Sequence, residues 1–145
     1  MPGRVLAEET ESENSASFMK RNAKSKNVVV LPGLQYRVVK SGPAEGVSPK
    51  TSDLVAVHYE GRLPSGEIFD SSLKRGAPEN LEVRKLIPGW QVALKLMRPG
   101  DEWEIFVPAE LAYGSKGAGP IPPDSALIFR IQLIEIGSAK PADAK

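Results

Sequence analysis

The stretch Leu86-Ile87-Pro88-Gly89-Trp90-Gln91-Val92-Ala93-Leu94-Lys95-Leu96-Met97, closed by Arg98-Pro99-Gly100, decides the fold. Pro88 suits the first turn of a helix, where its missing N–H costs nothing. Pro99-Gly100 stops the helix and turns the chain. Between these signals Trp90, Ala93, Leu94 and Met97 recur at helical spacing on one face, with Leu86 and Ile87 leading in. No other segment combines this periodicity with this much apolar bulk. A single short apolar helix among strands needs a sheet to cover it, so the expected architecture is a sheet folded around this helix.

Outward from the helix, the chain reads as strands and turns. Before it, Val28 to Leu31 is a β-branched run broken by Pro32-Gly33, and Leu34 to Lys40 alternates. Ser41 to Ser52 is a loop, and Asp53 to Gly61 a strand with Val55, Val57 and Tyr59 on one face. Pro64-Ser65-Gly66-Glu67 turns the chain into a short strand at Ile68 to Asp70. Ser71 to Asn80 reads as a polar loop, and Leu81 to Val83 as a brief strand entering the helix. After it, Trp103, Ile105 and Val107 alternate with Glu102, Glu104 and Phe106. Pro108 to Asp124 is a long Gly/Pro-rich loop. Ala126 to Ile136 is the clearest strand, with Leu127, Phe129, Ile131 and Leu133 facing in and Arg130 and Gln132 facing out. The fold class is therefore α+β, with five to six antiparallel strands and one main helix.

The expected organisation is a polar N-terminal arm with a short helix over residues 1–32, one domain over 33–137 and a disordered tail over 138–145. The arm places Glu8, Glu9, Glu11 and Glu13 before Lys20, Arg21, Lys24 and Lys26, an order that complements a helix dipole. Its small apolar group is Ala16, Phe18, Met19 and Ala23. A solvated arm and a helix that packs or dimerises are both compatible with that composition.

Composition excludes several functions. The chain has no cysteine, which removes disulfides, thiolate nucleophiles and cysteine zinc sites. One histidine, His58 in mid-strand, makes a transition-metal site improbable, and no cofactor is expected. A net charge of +1 supplies no footprint for nucleic acid. No apolar run approaches a membrane span, and no leader pattern opens the chain. The default compartment is the cytoplasm, or the periplasm if a signal peptide was removed. Gly114 to Gly119 lacks the Gly-Lys-Ser/Thr order of a phosphate loop and runs into Pro120-Ile121-Pro122-Pro123 rather than a helix. What remains is aromatic: Tyr59, Phe69, Trp90, Tyr113 and Phe129 sit on strands, at the helix start or at a loop edge. Each serves equally as core, but Tyr and Trp are favoured where an apolar pocket opens to water.

An ordered series of motifs carries a resemblance. Val57-His58-Tyr59-Glu60-Gly61 is followed by Gly66-Glu67-Ile68-Phe69-Asp70-Ser71-Ser72 and then by Ile87-Pro88-Gly89-Trp90. Ala112-Tyr113-Gly114, Ile121-Pro122-Pro123 and Ala126-Leu127-Ile128-Phe129 complete it. From about Gly33 to Gly137 the chain resembles the FK-binding (FKBP) type of peptidyl-prolyl cis-trans isomerase, close to the bacterial macrophage-infectivity-potentiator group. The resemblance implies an FKBP-like sheet wrapped across one helix. It implies Trp90 as pocket floor, with Tyr59, Phe69, Leu86, Ile87, Ile121 and Phe129 as walls and Tyr113 at the loop edge. It implies that the Ile87 N–H and the Tyr113 hydroxyl meet ligand carbonyls, and that Asp70 is a buried carboxylate held by Arg75 and Tyr59. Asp70, Tyr113, Ile87, Trp90 and Phe129 become the candidate catalytic residues. Glu79-Asn80 stands where relatives often carry an aromatic wall residue.

The implied activity is peptidyl-prolyl isomerisation that assists protein folding, with proline-containing polypeptides as substrates and FK-type macrolides as inhibitors. The rival is a chaperone or binding module that holds proline-containing partners in the same pocket without turnover. No nucleic-acid or membrane partner is implied. The expected state is a monomer, with pairing through the N-terminal helix as the alternative.

Overall fold

The computed structural model describes residues 14–137. In chain order they form helix α1 (Ser15–Asn22), strands β1 (Val29–Leu31), β2 (Leu34–Lys40), β3 (Leu54–Arg62) and β4 (Ile68–Ser71), and a one-turn helix α2 (Ser72–Arg75). Strand β5 (Glu79–Glu82), helix α3 (Pro88–Leu94), β6 (Glu102–Val107) and β7 (Leu127–Ile136) follow. One antiparallel sheet takes all seven strands in the order β1-β2-β6-β7-β3-β4, with β5 also on β3. The sheet is therefore six positions wide. β4 pairs with Glu60 to Arg62 and β5 with Leu54 to Val57, so two short strands share one column end to end.

Between them, β3 loses its neighbour, and the serine at the start of α2 repairs the gap. The Tyr59 N–H donates to Ser72 Oγ at 2.7 Å, and the Ser72 hydroxyl reaches the Tyr59 carbonyl at 3.3 Å. His58 Nδ1 lies 2.9 Å from Ser72 Oγ. Ser72 is fully buried. A buried backbone group without a partner costs more than the hydrogen bond it would have made. The single histidine is thus part of this repair, a structural position.

Helix α3 crosses the concave face. Its apolar side seals the core: Trp90, Ala93, Leu94 and Met97 are all at most 4% exposed. They meet Val55 and Val57 of β3, Ile105 and Val107 of β6, and Leu127, Phe129, Ile131 and Leu133 of β7 in one cluster. Full burial of such side chains contributes roughly 1.5–3 kcal/mol each. The helix ends at Leu94, three residues before the apolar periodicity does, and Leu96 and Met97 close a tighter turn by donating to the Ala93 carbonyl. That turn is anchored by a buried carboxylate. Asp101 accepts from the Arg98 N–H at 2.9 Å and from the Gly42 N–H at 2.6 Å, tying the loop after β2 to the end of the helix.

The outer face is half apolar and half charged. Helix α1 covers the apolar half, where Phe18 joins Phe106, Ala126 and Ile128. Polar bonds fix its pose: Ser15 N–H to the Asp124 carbonyl, the Ala109 N–H to Ser15 Oγ, and Asn22 Nδ2 to Gln35 Oε1 at 2.8 Å. Asn14 caps its first turn by accepting from the Ser17 N–H. The charged half is organised by Glu104, which is buried and bonded by Arg37 and Arg62 from either side. The tail expected to be disordered over 138–145 lies outside the described residues, as does the acidic start of the arm.

At Gly89 the helix backbone lies directly against Val107 of β6. A methyl group there would stand 2.4 Å from Val107 Cγ1, a distance no packed carbon adopts. Helix propensity alone favours alanine over glycine by roughly 1 kcal/mol, so the sign of Gly89→Ala tests the close approach. The expected outcome in urea unfolding is a loss of about 1–3 kcal/mol. Combining it with Val107→Ala should cost less than the sum of the two single changes, since the second change removes the obstructing methyls.

Candidate functional site

The helix start builds the floor of a cavity and the sheet builds its walls. Pro88 excludes the α region for the residue before it, and Ile87 accordingly sits extended at φ −59°, ψ 152°. Its carbonyl takes the first helical bonds, from Trp90 and Gln91. Its N–H donates to nothing among the described residues. The Gln91 side chain holds the preceding turn by donating to the Leu86 carbonyl at 2.8 Å.

Four rings then meet in series, each edge-on to the next. Tyr59 stands against Trp90 at 5.2 Å between centroids and 86° between planes. Trp90 meets Phe129 at 5.3 Å and 82°, and Phe129 meets Phe69 at 5.7 Å and 85°. Edge-to-face contact is the favoured geometry for rings with a negative face and positive rim. The space for the last pair comes from Gly61 on β3. A methyl group there would lie 2.8 Å from atoms of both Phe69 and Phe129. The resulting cavity holds about 310 Å³ and is lined by Tyr59, Phe69, Asp70, Leu81, Lys85, Leu86, Ile87, Trp90, Tyr113 and Phe129.

One polar cluster stands at its side. The Tyr59 hydroxyl donates to Asp70 Oδ2 at 2.6 Å, and Arg75 Nη1 donates to Asp70 Oδ1 at 2.7 Å. Arg75 also reaches the Tyr59 oxygen at 3.1 Å and Glu79 Oε2 at 3.0 Å, with its guanidinium 5.8 Å from the Tyr59 ring centre. Burial pushes the Tyr59 hydroxyl up, and its bond to Asp70 pushes the same way, to about 12 despite the opposing pull of Arg75. Burial also pulls Asp70 upward, but the bonds from Tyr59 and Arg75 together outweigh it and hold the carboxyl below its ordinary range. The same bonds raise Arg75 above the usual guanidinium value. Asp70 departs from expectation in one respect: its side chain is 40% exposed rather than buried. The carboxylate closes the cavity's edge, where water reaches it, because β4 ends there and α2 turns away.

Of the residues named from sequence, Tyr59, Phe69, Asp70, Leu86, Ile87, Trp90, Tyr113 and Phe129 come together on this lining. Arg75 stands behind Asp70 and off the lining. Ile121 is 7% exposed and belongs to the core cluster, where it bridges back to Ala118. Tyr113 is 40% exposed at the loop edge, and its hydroxyl has no hydrogen-bond partner among the described residues. Two lining residues escaped the sequence reading. Leu81 lies on β5, which occupies Glu79–Glu82 rather than the expected Leu81 to Val83, because Val83 already turns into a 3-10 turn. Lys85 ends that turn. Leu81 had a signal, the single apolar side chain among Glu79, Asn80 and Glu82; Lys85 had none. Among the described residues no three His, Cys, Asp or Glu side chains come together to hold a metal ion, and no helix is long and apolar enough to cross a membrane.

Residues 45–134 match the family model described as FKBP-type peptidyl-prolyl cis-trans isomerase. The chain is 48% identical over 127 residues to the peptidyl-prolyl cis-trans isomerase Mip of Coxiella burnetii, covering 86% of this chain and 54% of that protein. It is also 48% identical over 121 residues to the FKBP-type 22 kDa peptidyl-prolyl cis-trans isomerase of Escherichia coli, covering 82% and 58%. Among solved structures, FkpA from Escherichia coli superposes with a TM-score of 0.81 at 37% identity, over 94% of this chain and 63% of that one. The chain thus spans about half the length of the curated relatives it matches.

The cluster at the cavity's side predicts a pH dependence. Asp70 is held below its unfolded value of about 3.9, so its contribution is present above that pH and is lost as pH falls through the folded value. Tyr59 is raised, so its contribution is complete below about pH 10 and is lost as pH rises through about 12. The stability difference between the native chain and Asp70→Asn, measured by urea midpoints, should hold constant from about pH 5 to 9 and narrow below about pH 4. A difference unchanged down to pH 2 would remove the linkage.

Proposed function

The chain belongs to the FKBP-type peptidyl-prolyl cis-trans isomerases, and from that membership we propose that it accelerates X–Pro bond rotation in extended polypeptides within the cavity floored by Trp90. One observation carries the proposal. The four-ring series Tyr59, Trp90, Phe129 and Phe69 lines a cavity of about 310 Å³ that is apolar at its base and polar at one edge. That volume suits a prolyl ring with its flanking peptide groups.

The reaction needs no nucleophile. Rotation about an X–Pro amide breaks resonance at a cost of ~18–20 kcal/mol and takes tens to hundreds of seconds unaided. The twisted state has less charge separation than the planar amide, so a desolvated aromatic site disfavours it less than it disfavours the ground state. The free Ile87 N–H and the Tyr113 hydroxyl donate to substrate carbonyls on either side, so that only the prolyl bond turns. Asp70, held by Tyr59 and Arg75, keeps the polar edge in place. Leu86 and Phe69 flank the ring, while Ile121 supports the loop behind. A 10⁴-fold acceleration corresponds to ~5.5 kcal/mol, within reach of desolvation and positioning.

Isomerisation of Leu-Pro and Phe-Pro peptides, measured with and without an FK-type macrolide, tests the proposal. Fast turnover that the macrolide abolishes is expected; a folded, macrolide-binding chain that leaves the uncatalysed rate unchanged would be a holding module instead. Tyr113→Phe should lower kcat/KM about two- to tenfold, the value of one hydrogen bond to a carbonyl. Asp70→Ala should lower it roughly ten- to a hundredfold through misplacement of the polar edge, with an unchanged circular-dichroism spectrum. Full activity in Asp70→Ala would leave that residue as a clamp for α2 and nothing more.

A further inference from the structure

The rim of the cavity is electrically lopsided. On one side Asp70 and Glu79 share a single cation, Arg75, through bonds of 2.7 and 2.9 Å. Lys74 on the same one-turn helix adds a second cation, so that side carries no net charge. The 3-10 turn Val83–Lys85, which follows β5 directly, carries two cations, Arg84 and Lys85, against one carboxylate. Glu82 lies 3.4 Å from Arg84 and 3.5 Å from Lys85, so the turn is positive by one charge. Only Lys85 of this pair lines the cavity. It is 68% exposed, and its ion pair with Glu82 is long and solvated, so the ammonium is easily shared with an incoming carboxylate. Lys85 also stands two residues before Ile87, whose free N–H is the backbone donor at the cavity's base.

We propose that Lys85 is a specificity-determining residue that favours proline segments carrying an acidic side chain on the side of the proline that passes over the Val83–Lys85 turn. The inference rests on the isomerase reading above and adds its substrate class. Charges at the mouth of a cleft with low-dielectric walls act more strongly than on an open surface, and the aromatic rings supply such walls. Asp70, the carboxylate on the lining, is bonded to Arg75 and not to Lys85, so the preference is confined to the flank of the proline that passes over the turn.

The test is a set of X–Pro peptides with Glu, Ala or Lys placed singly at the two positions before X and the two after proline, assayed at about 20 mM and 500 mM salt. At one flank, glutamate should exceed lysine in kcat/KM by about three- to fivefold at low salt, and the ratio should fall toward one at high salt. The gain should lie in KM. Lys85→Arg should keep the ratio, Lys85→Ala should collapse it and Lys85→Glu should invert it. Arg84→Ala, which alters the same turn off the lining, should move the ratio less than Lys85→Ala. Equal turnover of Glu and Lys peptides at every position, or equal effects of Arg84→Ala and Lys85→Ala, would overturn the assignment while leaving the isomerase reading intact. No turnover of any peptide would overturn both.

Discussion

Everything at the cavity depends on how closely helix α3 can lie against β6. Gly89 touches Val107 with no room for a side chain between them. The residue after it, Trp90, is thereby lowered into the sheet far enough to meet Tyr59 and Phe129 edge-on while staying 4% exposed. A helix held further out would leave its apolar face half hydrated and the rings out of contact. Gly61 answers the same constraint from the sheet side, since Phe69 and Phe129 occupy the space above it. Two absent side chains thus set the depth and the shape of the site. Their loss of backbone order on folding costs roughly 0.5–1 kcal/mol each relative to alanine. Packing of the aromatic series offsets it.

Around this contact the fold uses few buried polar groups, and each closes a specific gap. Ser72 stands in for the missing neighbour of β3 between β4 and β5, where the strand would otherwise leave Tyr59 amide groups unpaired. Asp101 joins the end of the helix region to the loop after β2. Glu104 joins β2 and β3 residues across the charged half of the outer face. Such groups are expensive unless fully bonded, so their placement pins the register and the loops.

The helix and the inward faces of β3, β6 and β7 were legible from sequence because periodicity and burial arise from the same residues. Trp90, Ala93, Leu94 and Met97 repeat at helical spacing and are all buried. Leu127, Phe129, Ile131 and Leu133 alternate and are buried likewise. The four rings were legible as aromatic positions, though not as an edge-on series, since mutual orientation is a property of packing. The helix ended early because the Pro99-Gly100 turn and the Asp101 cap overrode a pattern that ran on to Met97. The one-turn helix α2 falls in a stretch whose polar composition predicts a loop, because a turn of four residues has no periodicity to detect. The serine at its start acts through geometry that only pairing reveals. Helix α1 could have stood in solvent on composition alone; Phe18 finds Phe106, Ala126 and Ile128 because the outer face of β6 and β7 leaves them uncovered. Phe106 was visible as an apolar residue on a face otherwise read as charged, which was the available clue.

The polar edge clarifies what kind of chemistry such a cavity favours. Tyr59, Asp70 and Arg75 satisfy one another, and Glu79 takes the remaining guanidinium bond. The tyrosine is pushed up to about 12 and the carboxyl held low, so near neutral pH neither group exchanges a proton. A site tuned for acid–base catalysis does the reverse, bringing a group toward neutrality so that it can give and take. Here the electrostatics are fixed in advance, and an amide N–H at Ile87 and a hydroxyl at Tyr113 have no partner among the described residues. Fixed dipoles beside an apolar floor suit a reaction whose barrier is lost resonance and whose transition state carries less separated charge than its ground state. Proton transfer would gain nothing from this arrangement, whereas amide rotation gains from each part of it.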